Sequence, residues 1–249
     1  MLISIITATY NSEKLLQSAI DSYQKQSCPD KELIIIDGKS TDATINIINK
    51  NQHIITRHQS QKDKGIYDAL NKGIQLTKGE VIGILHSDDF YAHPQVLQKV
   101  AALFETDDSL MAVYGDLDYV DRKDSNKIIR HWESGEISQQ AFEKGWMPPH
   151  PTLFLKKEVF EKYGHYDLSF TSAADYDLML RVLYKYHIKT AYLPEVLVKM
   201  RVGGLSNQSL KNRWIANQED RLAMKINGIP NPLLTGILKP LRKLHQFWS

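Results

Sequence analysis

One cysteine, Cys28, stands among 249 residues. An internal disulfide and a cysteine-built zinc cluster are therefore both excluded, and a reducing compartment is the natural reading. Long apolar runs are missing too: none approaches the roughly 18 residues of a spanning helix. The opening residues, Met1 to Thr7, read directly as a strand, with no basic leader or small-residue cleavage site. The expectation is a cytoplasmic protein that at most lies on a membrane surface. An excess of one charge is also absent, since 31 Lys and Arg face 29 Asp and Glu for a formal net charge of +2. So small a surplus gives no argument for a nucleic-acid partner. No G-x-G-x-x-G turn follows the first strand, which counts against a dinucleotide oxidoreductase. Thr7 to Lys14 is not a glycine-rich basic loop either, which counts against a sugar nucleotidyltransferase.

What is present is ordinary globular composition, 42% hydrophobic and 24% charged, arranged with clear periodicity. Apolar runs at Leu2–Ile6, Leu33–Ile36, Ile54–Ile55 and Val81–Leu85 alternate with helical spacing at Leu15–Tyr23, Ile45–Ile48 and Ile66–Ile74. Pro94 suits the first residue of a helix through Phe104, and Met111 to Tyr114 predicts a fifth strand. Strands buried on both faces and separated by helices imply an α/β fold with a mostly parallel, Rossmann-like sheet flanked by helices. After Gly115 the rhythm changes. Asp116 to His131 suits a hairpin or long loop, helices are predicted at Lys157–Tyr163, Asp175–Tyr186 and Leu210–Asn227, and short strands at Thr190–Leu193 and Val196–Met200. No linker is visible. The reading is one domain over 1–232, with a nucleotide-binding half at 1–115, an acceptor-side α+β half at 116–232 and a tail at 233–249.

In open α/β sheets ligands bind beyond the carboxyl ends of the strands. Those ends carry Thr7-Ala8-Thr9-Tyr10-Asn11, then Asp37-Gly38-Lys39-Ser40-Thr41-Asp42, then His86-Ser87-Asp88-Asp89. Adjacent carboxylates repel unless a cation sits between them, and oxygen ligation suits Mg²⁺ or Mn²⁺. From spacing alone, Asp88-Asp89 reads equally well as a cap for the helix near Pro94.

Taken together, these segments resemble the family-2 glycosyltransferases of the GT-A fold. The matching pieces are Ile5 to Asn11, Glu32 to Asp37 with Ser40-Thr41-Asp42, Asp63 to Gly73, Leu85 to Asp89, and Ala174-Asp175-Tyr176-Asp177-Leu178 with Arg181. They cover roughly the first two hundred residues. The resemblance implies an inverting transfer of a sugar from a UDP- or GDP-linked donor to a saccharide or lipid-linked hydroxyl acceptor, as in bacterial cell-surface polysaccharide synthesis, with Mn²⁺ or Mg²⁺ on the diphosphate. It places Thr7, Thr9, Tyr10 and Asn11 around the nucleoside and gives Asp37 the base. Asp63 and Lys64 go to the ribose or diphosphate, and Asn71 to the donor. Many members carry Asp-x-Asp at the fourth strand end. Here His86 holds the first position and Asp88 the second, so Asp88 becomes the metal ligand with Asp89 assisting and also facing the acceptor side. Ser87 joins the donor set; His86 contacts the ribose, ligates the ion, or does neither. Asp175 is the implied general base, His150 an acceptor-side residue, and Arg201 with Gly203-Gly204-Leu205-Ser206 a loop over the diphosphate.

Structural alternatives stand beside each role. Asp37 is also a turn residue, Asp63 to Asn71 an ordinary amphipathic helix, Asp175 an N-cap and His150 a turn histidine. Asp177 and Arg181, one turn apart, read as a surface pair. A sugar nucleotidyltransferase and a non-catalytic nucleotide-sugar-binding relative are the rival functions. In the tail, Leu234, Ile237, Leu238, Leu241, Leu244 and Trp248 fall near one face, with Lys239, Arg242 and Lys243 elsewhere. That pattern suits peripheral contact with an anionic membrane or packing on the domain itself. Pro240 is expected to kink or divide the helix.

Overall fold

The computed structural model describes residues 1–203 and 210–242. Gly204, Leu205 and Ser206 of the expected loop, and Lys243, Leu244 and Trp248 of the tail, lie outside the described residues. The first half builds β1 (Ile3–Thr9), α1 (Leu16–Gln24), β2 (Lys31–Asp37), α2 (Thr44–Lys50), β3 (Arg57–Ser60), α3 (Ile66–Leu76) and β4 (Val81–Ile84). Then come β5 (Phe90–Tyr91), α4 (Val96–Thr106), β6 (Ala112–Val120), β7 (Ile128–Trp132) and α5 (Gln139–Glu143). The chain continues through β8 (Phe154–Lys156), α6 (Lys157–Tyr163), α7 (Ala174–Met179), β9 (Thr190–Arg201), α8 (Leu210–Ile226) and α9 (Pro232–Arg242).

Among the described residues these strands form one sheet in the order β3-β2-β1-β4-β8-β6-β9-β5, with β7 paired to β6. β3, β2, β1 and β4 are mutually parallel. Beyond β4 the sheet is mixed, because β8 runs antiparallel to both β4 and β6 while β6 and β9 are parallel. The parallel reading thus holds for the first four strands, and a mixed α+β arrangement for the rest. Alternate residues explain the layering. Ile6, Ala8, Ile34 and Ile36 enter one apolar cluster, and Ile3, Ile5, Leu33 and Ile35 the other. Two separate cores, one per face, require helices on both sides.

Local expectations are corrected in four places. The third strand is Arg57–Ser60, not Ile54–Ile55: those isoleucines belong to the turn closing α2, where their N–H groups bond Asn51 O. An edge strand bonds on one side only and keeps polar residues, so hydrophobicity did not mark it. Pro94 precedes α4 by two residues instead of opening it. The two strands at 190–200 are one, Thr190–Arg201, whose register with β6 slips between Gly115 and Leu117. Pro194 lies in that slip, and its missing N–H accounts for the break. The helix expected over Asp175–Tyr186 starts at Ala174 and turns into a π-helical segment from Leu180 to Lys185.

Candidate active site

β2 and β4 flank β1, with Thr9 beside Asp37 and Ile6 beside Ile84. The three strand-end turns therefore meet at one edge, where the topology switches direction, the usual place for a ligand crevice. Asn11, at φ 49°, turns the chain out of β1. Its N–H bonds Ser40 Oγ at 2.8 Å and its Oδ1 accepts from Thr41 N at 2.9 Å. Ser12 and Ser87 share a hydroxyl bond of 2.9 Å, which ties the β1 and β4 turns together. Tyr10 projects outward, 61% exposed. Thr7 and Thr9 are buried, and Thr9 Oγ1 has no hydrogen-bond partner. Asp63 sits against Gly38, where a Cβ would stand 2.7 Å from its carboxylate, so a larger residue there would push the Asp63 side chain aside. Lys64 is exposed.

Asp37 anchors its own loop. It is fully buried, and its carboxylate accepts from Ser40 N, Ser40 Oγ and Ser60 Oγ. Those bonds pin the loops that frame the crevice. Asn71 is an anchor as well: its amide grips the backbone of Tyr166 from both sides, at 2.8 and 3.0 Å.

The β4 turn separates its two carboxylates. Asp88 is half-buried at the surface of the crevice. Asp89 is wholly buried, accepts from Arg201 N at 3.3 Å and leaves Oδ2 without a partner. Burial, reinforced by Asp88, pushes the Asp89 carboxyl well above the usual range, against the opposing pull of Arg201. Arg201 is anchored at both ends of its guanidinium. Its guanidinium donates to Asp88 O at 2.6 Å and Ser18 Oγ at 3.0 Å, and lies 4.6 Å from the Phe90 ring centroid. It clasps the end of β9 to the β4 turn and α1. Among the described residues no group of three or more His, Cys, Asp or Glu side chains stands ready to hold a metal. Asp88 and the unpartnered oxygen of Asp89 nevertheless offer hard ligands of the kind Mg²⁺ or Mn²⁺ takes when phosphates complete its shell.

Across the crevice, Asp175 lies in the first turn of α7, and its side chain does not cap that helix. Its Oδ1 accepts from the Tyr67 hydroxyl at 2.9 Å. Capping falls to Glu219 of α8, whose carboxylate accepts from Thr171 N and Oγ1, Ser172 N and Ala173 N. Burial alone would raise the Glu219 carboxyl; these bonds outweigh it and hold it below its ordinary value. Asp177 is also corrected. It is a buried anchor, not a surface partner, gripped by Arg181 at 3.0 Å and Asn227 at 2.7 Å. His150, in a short 3-10 turn, places Nε2 2.8 Å from the Tyr166 hydroxyl and its ring 5.8 Å from that of His86. Burial lowers both imidazoles, His150 to about 4, while Asp175 pulls each the other way. Tyr67, Tyr166 and Glu219 were not assigned from sequence. Tyr67 lay inside a matched motif, but its partner is 108 positions away.

The model of the family described as glycosyl transferase family 2 matches residues 4–164. The PGL/p-HBAD biosynthesis glycosyltransferase of Mycobacterium tuberculosis is 30% identical over 218 residues, 85% of this chain and 82% of that protein. The chondroitin synthase of Escherichia coli is 31% identical over 73% of this chain but only 26% of its own length. Two solved structures share the fold at low identity. S. aureus TarS 1-349 in complex with UDP-GlcNAc has a TM-score of 0.73 at 18% identity, covering 96% of this chain and 69% of that one. The mannosyltransferase PcManGT of Pyrobaculum calidifontis, with GDP-Man and Mn²⁺, has a TM-score of 0.68 at 16%, covering 99% and 71%.

Proposed function

The chain belongs to glycosyl transferase family 2 and has the GT-A fold, and from that premise we propose that it catalyses a single inverting displacement on a UDP- or GDP-linked sugar in surface-polysaccharide assembly. The supporting observation is that Asp88, at a strand end, and Asp175, held in a helix first turn with its carboxylate uncommitted to capping, both lie near enough to His86 to bear on its charge. Asp175 takes the proton of the acceptor hydroxyl as that oxygen bonds to the anomeric carbon; the bond to the diphosphate oxygen breaks, and the diphosphate leaves with the electron pair. Asp88, backed by Asp89, would hold a divalent ion, which would supply charge stabilisation for that leaving group. Tyr10, Asn11, Asp63 and Lys64 face the donor's nucleoside and diphosphate. His150 and Tyr166 wall the acceptor side.

The test is release of nucleoside diphosphate from a panel of UDP- and GDP-linked sugars with Mn²⁺. Asp175→Asn is expected to lower kcat by roughly two to four orders of magnitude with donor KM and thermal stability retained. Near wild-type turnover in that variant removes the assignment. A rival nucleotidyltransferase would instead leave these donors intact until pyrophosphate is added, and would then form nucleoside triphosphate and a sugar 1-phosphate.

The placement of the acceptor at a lipid surface rests on α9. Thr235 bonds Glu143 O at 2.6 Å, and Lys239 bonds Asp220 at 2.6 Å over the Tyr176 ring, so this helix packs on the domain. Its other side leaves Leu233, Leu234, Ile237 and Leu241 at least half exposed, and no acidic residue follows Asp220. An anionic bilayer suits that face. Ile237→Ser with Leu241→Ser should abolish flotation with phosphatidylglycerol vesicles; unchanged flotation, or none in the wild type, sinks this part of the reading. Among the described residues no helix is long and apolar enough to cross a membrane.

A further inference from the structure

Helix α3 reaches the catalytic side of the crevice through two residues one turn apart. It begins at Gly65, whose φ of 119° is a conformation that side-chain-bearing residues rarely adopt. Two positions later Tyr67 is buried, with its hydroxyl 2.9 Å from Asp175 Oδ1. One turn on, on the same face of the helix, Asn71 clasps the backbone of Tyr166 in both directions. Tyr166 returns the contact: its ring stacks on that of Tyr67, with centroids 5.7 Å apart and planes at 24°. The phenol of Tyr67 is thus fixed in direction by its own helix, by the stacked ring and by the loop that Asn71 holds. Among the described residues it is the one hydrogen-bond partner of the Asp175 side chain.

We propose that Tyr67 is a positioning residue for sugar transfer: its hydroxyl holds one oxygen of Asp175 and leaves the other turned to the acceptor. The inference rests on Asp175 being the base. A carboxylate at the head of a short helix has two χ torsions to settle, and a base whose direction wanders spends time out of reach of the acceptor proton. Burial, with the Asp175 charge adding to it, pushes the Tyr67 hydroxyl well above its ordinary value, so this group keeps its proton and donates a hydrogen bond to the Asp175 carboxylate. Asp175, not Tyr67, therefore accepts the proton in the transfer. The alternative role for Tyr67 is packing alone, and the two differ in what loss of the oxygen does. Packing is carried by the ring, which Tyr67→Phe retains.

The experiment compares wild type, Tyr67→Phe, Asp175→Asn and the double variant, using nucleoside diphosphate release from the UDP- or GDP-linked sugar the wild type turns over fastest. Tyr67→Phe should lower kcat about tenfold, the scale of one ordering hydrogen bond to a charged group, with donor KM and melting temperature unchanged. In the Asp175→Asn background the same substitution should cost nothing further. Wild-type kcat in Tyr67→Phe overturns the inference, as does an equal loss in both backgrounds. A variant that also loses donor binding or fails to fold shows a packing residue and overturns it too. If instead Asp175→Asn keeps its activity, the base assignment fails first, and the two failures are distinguished.

Discussion

The turn after β4 and the first turn of α7 each carry two carboxylates, and in each the two neighbours are treated oppositely. Asp88 is half-buried at the crevice, while Asp89 is sealed and bonded to Arg201 N. Asp175 is half-buried with Tyr67, while Asp177 is sealed between Arg181 and Asn227. The difference between the regions lies in how the sealed member is satisfied. Asp177 has two partners that fill its oxygens, one of them a cation. Asp89 keeps an orphaned oxygen and a raised carboxyl. A finished structural anchor lacks such an orphan; a group beside a cation site can carry one, because the ion supplies the missing charge.

That comparison is broken most severely by Asp177→Ala, which takes the shared carboxylate away and leaves Arg181 with only Tyr163 O and His165 O and Asn227 with only Ala223 O. The expected loss is about 2–4 kcal/mol of unfolding free energy, measured by denaturant titration. A change near zero would make Asp177 the surface residue its sequence spacing suggested.

His150, bonded to the Tyr166 hydroxyl, gives a pH test. Its folded value is about 4 against an ordinary 6.5, so between those limits the unfolded chain binds a proton that the native one refuses. Stability from this group is fully present above about pH 6.5 and is lost as pH falls toward 4, by about 3 kcal/mol at the full shift. His150→Gln should flatten the melting-temperature profile over that window; an unaltered slope would place the loss elsewhere.

Asp88→Asn sharpens the first pair. Donor affinity should fall about ten- to a hundredfold and lose its dependence on Mn²⁺ or Mg²⁺ in calorimetric titrations. Retained metal dependence reduces Asp88 to a turn residue. The smallest effect belongs to Glu219→Gln, which keeps the shape of the α7 cap and removes its charge. A loss of about 1 kcal/mol is expected, with kcat per folded molecule little changed.

Much of this was legible in the chain. The period-two alternation of β1 and β2, the helices between them and the ordered motifs from Ile5 to Arg181 specified the parallel half, its ligand edge and the family. Elements without their own periodicity were not legible. β3 has no apolar signal and β5 has two residues, while β9, legible as two short pieces, is joined through Pro194 by its pairing with β6 and β5.

Within the site, residue type and spacing determined which side chains gather at the strand ends. They did not determine what each one faces. Asp37 carries the right chemistry for a base, and its partner in the fold is Ser60 from a neighbouring strand; Arg201 carries the right charge for a diphosphate, and its partners in the fold are Ser18 and the Asp88 carbonyl. Periodicity fixes the face of an element on which a residue lies, since that follows from backbone geometry over a few residues. Whether a carboxylate there is free or filled depends on partners tens to a hundred positions away, and only the packed tertiary structure brings those within hydrogen-bonding distance.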